Sequence, residues 1–184
     1  LEAAAELMRQ SGLAEADKKA SRVAAEGVVV IERSADGKRG AIAEINCETD
    51  FVAREADFQG FASLVGKLVL QHRPADLDAL LGLKSDSGTT IDELRRALIA
   101  KIGENISVRR FAVLEAPKLV GTYLHGTRIG ALVAMKSGDE ALAKDVAMHV
   151  AAIQRARLSS SEVPADEVAK ERGIQREQAK SDTK

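Results

Sequence analysis

Two seven-residue stretches ninety positions apart repeat one pattern of size and alternation, Gly40-Ala41-Ile42-Ala43-Glu44-Ile45-Asn46 and Gly130-Ala131-Leu132-Val133-Ala134-Met135-Lys136. Each follows a strand-like, turn-ended segment: Val28 to Arg33 with Ser34-Ala35-Asp36-Gly37, and Val120 to Leu124 with His125-Gly126. Each also precedes a helical pattern, Phe58 to Gln71 and Leu142 to Gln154. A chain that writes hairpin then helix twice predicts an α+β fold of two related subdomains, each a small antiparallel sheet packed with helices. Aligning the helix ends leaves the first copy with about seven extra residues between strand and helix, across Thr49 to Glu55. A duplicated unit folds without such an insertion, so those residues call for a second reason.

At 184 residues, 45% hydrophobic and 30% charged, the chain can bury one fair-sized core or two small ones. A net charge of −1 gives no broad pull towards nucleic acid or anionic membrane. The longest apolar runs fall well short of a membrane span, and no secretory signal pattern is present. Cys47 is the single cysteine, which excludes intramolecular disulfides and cysteine zinc sites and fits a reducing, cytosolic compartment. It reads as a small buried apolar residue before it reads as a reactive thiol.

The elements follow from periodicity. Leu1 to Arg9 reads as a helix stopped by Ser11-Gly12, so the chain is expected to begin inside a larger protein, with a basic connector Lys18-Lys19-Ala20-Ser21-Arg22 after it. Such clusters are mostly solvated, although one beside a functional knob can steer an acidic partner. Val28 to Ile31 and Gly40 to Cys47 form a hairpin across Asp36-Gly37, and Phe58, Phe61, Leu64, Val65, Leu68 and Val69 recur at helical spacing to pack on it. A polar stretch from His72 to Thr90 holds an apolar patch, Leu77, Leu80, Leu81 and Leu83, and a surface loop at Ser85-Asp86-Ser87-Gly88. Thr90 caps a helix over Ile91 to Ile102 with a Leu94, Leu98, Ile102 stripe, and Gly103 ends it. Ile106 to Leu114, Val120 to Leu124 and Arg128 to Lys136 are expected as a three-stranded meander backed by the helix from Leu142. From Pro164 a charged helix carries only Val168, Ala169, Ile174 and Ala179 as apolar residues, too few to hold it alone, and it reads as the first arm of a helical hairpin. The boundaries are 1–22 for the helix remnant and linker, 23–90 and 91–158 for the two subdomains, and 159–184 for the arm.

Catalytic signals are thin. Gly37 and Gly40 flank a hairpin instead of opening a helix, so no phosphate loop is present. His72, His125 and His149 are far apart with no metal-ligand spacing; His149 reads as a packed helix residue and His125, in a turn, as an exposed contact. No serine sits in a nucleophile elbow. Attention falls on Thr49-Asp50-Phe51-Val52, where an aromatic follows an acid in a chain with four Phe, one Tyr and no Trp. One reading is a helix start, with Thr49 or Asp50 capping and Phe51 or Val52 folded onto the core. The other is a probe, an apolar knob beside a carboxylate that enters a partner's pocket. A rival from another class is a nucleic-acid module using Arg109-Arg110, Arg95-Arg96 and Lys101, and an enzyme is a third reading.

These residues carry a resemblance. Asn46-Cys47-Glu48-Thr49-Asp50-Phe51-Val52-Ala53 followed by Phe58-Gln59-Gly60-Phe61 resembles the signature of the translation elongation factor Ts family. Further matches follow in order at Lys101-Ile102-Gly103-Glu104-Asn105-Ile106 with Arg109-Arg110, at Tyr123-Leu124-His125-Gly126-Thr127-Arg128-Ile129-Gly130, and at Ala147-Met148-His149-Val150-Ala151-Ala152. The resemblance implies two related α+β subdomains and a guanine nucleotide exchange factor for elongation factor Tu, with no chemical step, cofactor or metal of its own and no direct hold on GDP, GTP, nucleic acid or membrane. It implies that Asp50 and Phe51, flanked by Thr49 and Val52, enter the partner near its magnesium and phosphate site, and that Lys19, Ile102, Gly103 and His125 make further contacts. It also implies a cytoplasmic, bacterial or organellar setting. The resemblance implies that only the last helix of the family's N-terminal three-helix domain, or the link after it, remains at Leu1 to Arg9 and that Ser181-Asp182-Thr183-Lys184 falls about where the hairpin would turn; Ile153-Gln154-Arg155 lacks the proline expected soon after that helix.

Overall fold

In the computed structural model, Ala16, residues 18–153 and residues 159–181 are described. The helix expected over Leu1 to Arg9 and its Ser11-Gly12 stop lie outside them. Strands β1 (Glu26–Arg33) and β2 (Arg39–Cys47) pair antiparallel from Glu26 opposite Cys47 to Arg33 opposite Gly40. Asp36 fixes the reversal between them, accepting from Ser34 Oγ at 2.6 Å and from the Lys38 amide at 3.0 Å. Two residues past β2 comes the four-residue helix α1 (Asp50–Ala53), and then α2 (Ala56–His72).

The expected α2 stripe is the core: Phe58, Phe61, Val65, Leu68 and Val69 are buried with Val28, Ala41, Ala43, Ile45 and Cys47 of the sheet, and Leu64 is partly buried. The leucine patch after α2 forms a short helix, α3 (Leu77–Leu81), that buries Leu80. Helix α4 (Ile91–Ile102) starts with a complete capping box, the Thr90 hydroxyl accepting from the Glu93 amide and the Glu93 carboxylate from the Thr90 amide. That arrangement satisfies two amides that the first helical turn leaves unpaired.

Strand β3 (Ser107–Glu115) corrects the expected meander. It pairs antiparallel with the free edge of β2, Ala43 opposite Phe111 and Ala41 opposite Val113, giving a three-stranded sheet in the order β1-β2-β3. The reason is that β2, left as an edge, would carry a row of unpaired amides and carbonyls; β3 pairs them and adds Phe111 and Val113 to the packed face. Strands β4 (Leu119–His125) and β5 (Ile129–Met135) then make a separate two-stranded sheet.

That second hairpin lies against the other face of the first sheet. A Cβ on Gly40 would sit 2.8 Å from Val120 and 3.4 Å from Leu132, and one on Gly130 would sit 2.8 Å from Val29 and 2.9 Å from Ile42, so both glycines are there for close approach. Helix α5 (Glu140–Ile153) buries Ala143 and Ala147. Arg33 at the end of β1 grips Glu140 with two hydrogen bonds of 2.8 and 2.6 Å. The described residues up to 152 form one compact unit. In the other unit, a 3-10 turn (Ser160–Glu162) leads into α6 (Ala165–Ser181), whose Ile174 is exposed. Among the described residues, no helix is long and apolar enough to cross a membrane.

Candidate functional site

The stretch from Thr49 to Val52 divides the two sequence readings between its residues. Thr49 is the N-cap of α1, its hydroxyl accepting from the Val52 amide at 3.4 Å, and Val52 and Ala53 are buried. Phe51 is 77% exposed. The core staple is therefore Val52, while the aromatic stands out in solvent at a large hydration cost. Asp50 sits at the N-terminus of the same turn, paired with Arg54 at 2.9 Å. The far end is tied to α2, where the Gln59 side-chain amide donates to the Ala53 carbonyl.

A network of three segments holds the near end. Glu104 accepts from the Glu48 amide at 3.1 Å, the Thr49 amide at 3.0 Å and the Thr49 hydroxyl at 2.7 Å. In return Glu48 accepts from the Asn105 amide at 2.7 Å and from Arg22 at 3.2 Å. Each loop's carboxylate thus satisfies backbone amides of the other, donors that a segment outside helix and sheet has to pair elsewhere. The basic connector joins them: Lys19 Nζ donates to the Gly103 carbonyl at 2.8 Å, and Asn105 Nδ2 donates to the Arg22 carbonyl at 2.7 Å. Gly103 closes α4 with φ of +89°, where a side chain is strained, and its amide bonds the Ile99 carbonyl at 2.8 Å.

Lys19, Ile102 and Gly103 are thereby brought to the same side of the fold as Thr49 to Val52, although 30 residues or more separate them in sequence from that turn. Ile102 is half-buried at the end of α4. His125 stands on the other sheet, exposed at the tip of the β4–β5 hairpin, its Nδ1 3.2 Å from the Tyr123 hydroxyl. That tip is fixed against β1 by a 2.7 Å bond from the Val29 amide to the Thr127 carbonyl and by an Arg128 to Glu26 ion pair. His149, expected to be packed, is exposed on α5. Cys47 is buried, and burial above all, with the Glu104 charge next, pushes its thiol up to about 11. Among the described residues, no group of His, Cys, Asp and Glu is placed to hold a metal ion.

The basic residues of the nucleic-acid reading are engaged locally. Arg110 and Arg109 face Glu44 at 2.7 and 3.7 Å, Arg95 and Arg96 share Asp92 at 2.6 and 2.8 Å, and Lys101 meets Asp57 at 2.5 Å. Neutralised in pairs on different elements, they form no continuous stripe for a phosphate backbone.

The sequence profile described as "Elongation factor TS" matches residues 48–184, beginning inside this cluster at Glu48. The chain belongs to the elongation factor Ts family. Among curated elongation factor Ts proteins, that of Hydrogenovibrio crunogenus is 50% identical over 184 residues, covering 100% of this chain and 63% of the relative. That of Thioalkalivibrio sulfidiphilus is 51% identical over 176 residues, 95% of this chain and 60% of the relative, and that of Legionella pneumophila strain Paris 49% over 177 residues, 96% and 61%. The chain spans roughly three-fifths of the length of these elongation factor Ts relatives. Sequence reasoning did not assign Glu48, Glu104, Asn105 or Arg22 a part in the site. The available signal was the pair of unsatisfied amides at Glu48 and Thr49, which needed an acceptor from elsewhere.

Proposed function

We propose that this chain is a nucleotide exchange factor without a chemical step of its own, which promotes GDP release from elongation factor Tu by presenting Asp50 and Phe51 near the partner's magnesium and phosphate site. The observation that carries the reading is Phe51, an exposed aromatic on a helical turn whose two ends are hydrogen-bonded to the scaffold. A rigidly held, unburied aromatic loses little conformational freedom on docking, as binding anchors do. Thermodynamically the factor binds the partner's nucleotide-loosened state better than its GDP-bound state, and so lowers GDP affinity by the same factor. Lys19, Ile102 and Gly103 extend the contact around the knob. His125, on the other sheet, supplies a second point of grip.

The two units, 23–90 and 91–158, are read as related halves, with 159–184 as the first arm of a helical hairpin, and the setting is the cytoplasm. The test follows release of a fluorescent GDP analogue from elongation factor Tu. Phe51→Ala is expected to abolish most of the stimulation while keeping the circular dichroism of the parent. Asp50→Asn should slow release with a dependence on magnesium concentration, since a charge near a metal site acts on the metal's surroundings. Unchanged release with Phe51→Ala would sink the reading.

A further inference from the structure

We infer that Glu104 is the positioning residue for Phe51, setting the direction in which the aromatic is presented; the inference rests on the exchange reading above. Helix α1 has four residues, too few to hold its own shape. Phe51 is mostly exposed and contributes little to its own orientation. The burial of Val52 and Ala53 fixes how deep the turn sits, and the bond from Gln59 fixes its C-terminal end. Its tilt is set at Glu48 and Thr49, where all three donors converge on Glu104.

The Thr49 hydroxyl is the link. It donates to Glu104 Oε1 at 2.7 Å, which leaves its lone pair to accept from the Val52 amide at 3.4 Å, so the carboxylate on one loop orients the cap of the helix on another. Glu104 follows Gly103, whose carbonyl accepts from Lys19, and precedes Asn105, whose amide donates to Glu48. The knob is therefore referenced to α4 and the connector as well as to its own sheet. A turn tilted by an ångström presents Phe51 off its pocket, an error that positioning arguments put on the order of tenfold to a hundredfold in rate.

The experiment measures release of the fluorescent GDP analogue from elongation factor Tu at saturating amounts of the full chain, for Glu104→Ala, Glu104→Gln, Thr49→Val, Phe51→Ala and the Phe51→Ala/Glu104→Ala double variant, with thermal melts giving the folded fraction. Glutamine keeps an oxygen for the two amides and offers an N–H to the Thr49 oxygen, so it should restore most of the rate that alanine loses, a loss of about tenfold per folded molecule. Thr49→Val removes the hydroxyl alone and should fall between the two. The double variant should be no slower than Phe51→Ala, because Glu104 acts through Phe51. Equal loss in alanine and glutamine, full additivity in the double variant, or a loss that merely follows the folded fraction overturns the assignment. If Phe51→Ala slows release but Glu104→Ala does not, the assignment alone fails; if Phe51→Ala has no effect, the exchange reading fails and takes the assignment with it.

Discussion

Replacing Phe51 and Phe58 by alanine in turn should separate a residue exposed for binding from one buried for folding. The two lie seven positions apart, and their surroundings are opposite: Phe51 is 77% exposed and Phe58 is 0% exposed. Burying a whole phenylalanine side chain stabilises by about 1.5 to 3 kcal/mol, so the quarter of Phe51 that is covered is worth roughly 0.3 to 0.7 kcal/mol to the isolated chain. Phe58→Ala also leaves a cavity between α2 and the sheet and should cost about 3 to 5 kcal/mol. The three quarters of Phe51 still available for burial would be worth roughly 1.2 to 2.3 kcal/mol to a complex, or about 8- to 50-fold in affinity for the state that accepts it. Urea titrations read by circular dichroism give both stabilities, provided the slopes agree with the parent's so that midpoints can be compared. A loss of about 2 kcal/mol or more in Phe51→Ala would exceed what its covered surface can supply. The aromatic would then be a staple of the monomer, and the argument from its exposure would be wrong.

Other consequences can be checked on the isolated chain. Gly103→Ala places a side chain at φ of +89° and should cost about 1 to 2 kcal/mol in a thermal melt, more than Ala would at an ordinary helix end. Cys47, with its thiol pushed up to about 11 by burial, should react with a thiol reagent at mildly alkaline pH at a rate that follows local opening; labelling as fast as a free thiol would contradict the closed site. Glu140 is held below the usual carboxylate range, first by its hydrogen bond from Arg33, so its contribution is complete above its unfolded value near pH ~4.3 and is lost as the pH falls through its lower folded value. The melting difference between the parent and Glu140→Gln should accordingly be flat near neutrality and shrink below pH ~4; a difference unchanged in acid would mean that the ion pair with Arg33 is not its source.

Local chemistry made much of this fold readable. The Thr90 and Glu93 box fixed the start of α4 and Gly103 its end, because caps are set by residues a few positions apart. The first hairpin and the α2 stripe were likewise carried by neighbouring residues. The partner of β3 differs from the expectation because it was a choice between a strand close in sequence and one sixty or more positions back, and only the open edge of β2, a tertiary feature, decides it. Helix α5 misled for a different reason. Its contact with β4 is so close that a Cβ on Gly121 would lie 2.3 Å from the Ala143 carbonyl, so alanines form the buried face while Leu142, Met148 and His149 point out. The reciprocal carboxylates Glu48 and Glu104 lie 56 residues apart, with no periodicity to connect them.

The two hairpins touch in a way that bears on why Phe51 is where it is. The space a side chain would need at Gly40 is bordered by Leu132, and that at Gly130 by Ile42. Gly40 matches Gly130 and Ile42 matches Leu132 under the ninety-residue offset, so residue i of one unit meets residue j of the other and j meets i, as a two-fold arrangement of like units requires. This reciprocity supports the proposal of related halves more strongly than the sequence alignment alone. The halves then differ where it matters: eight residues, 48–55, join β2 to α2, whereas four, 136–139, join β5 to α5. The difference is four residues, the length of α1, somewhat less than the insertion expected from the helix ends. The second unit passes from strand to helix without such a turn, so folding alone does not demand one in the first. The turn is instead tied down from outside the 23–90 unit, by Glu104 just after α4, and it leaves its one large side chain in water. A structure that is dispensable to its unit, hydrogen-bonded from a distance and apolar at its exposed tip is organised around something the chain itself does not contain.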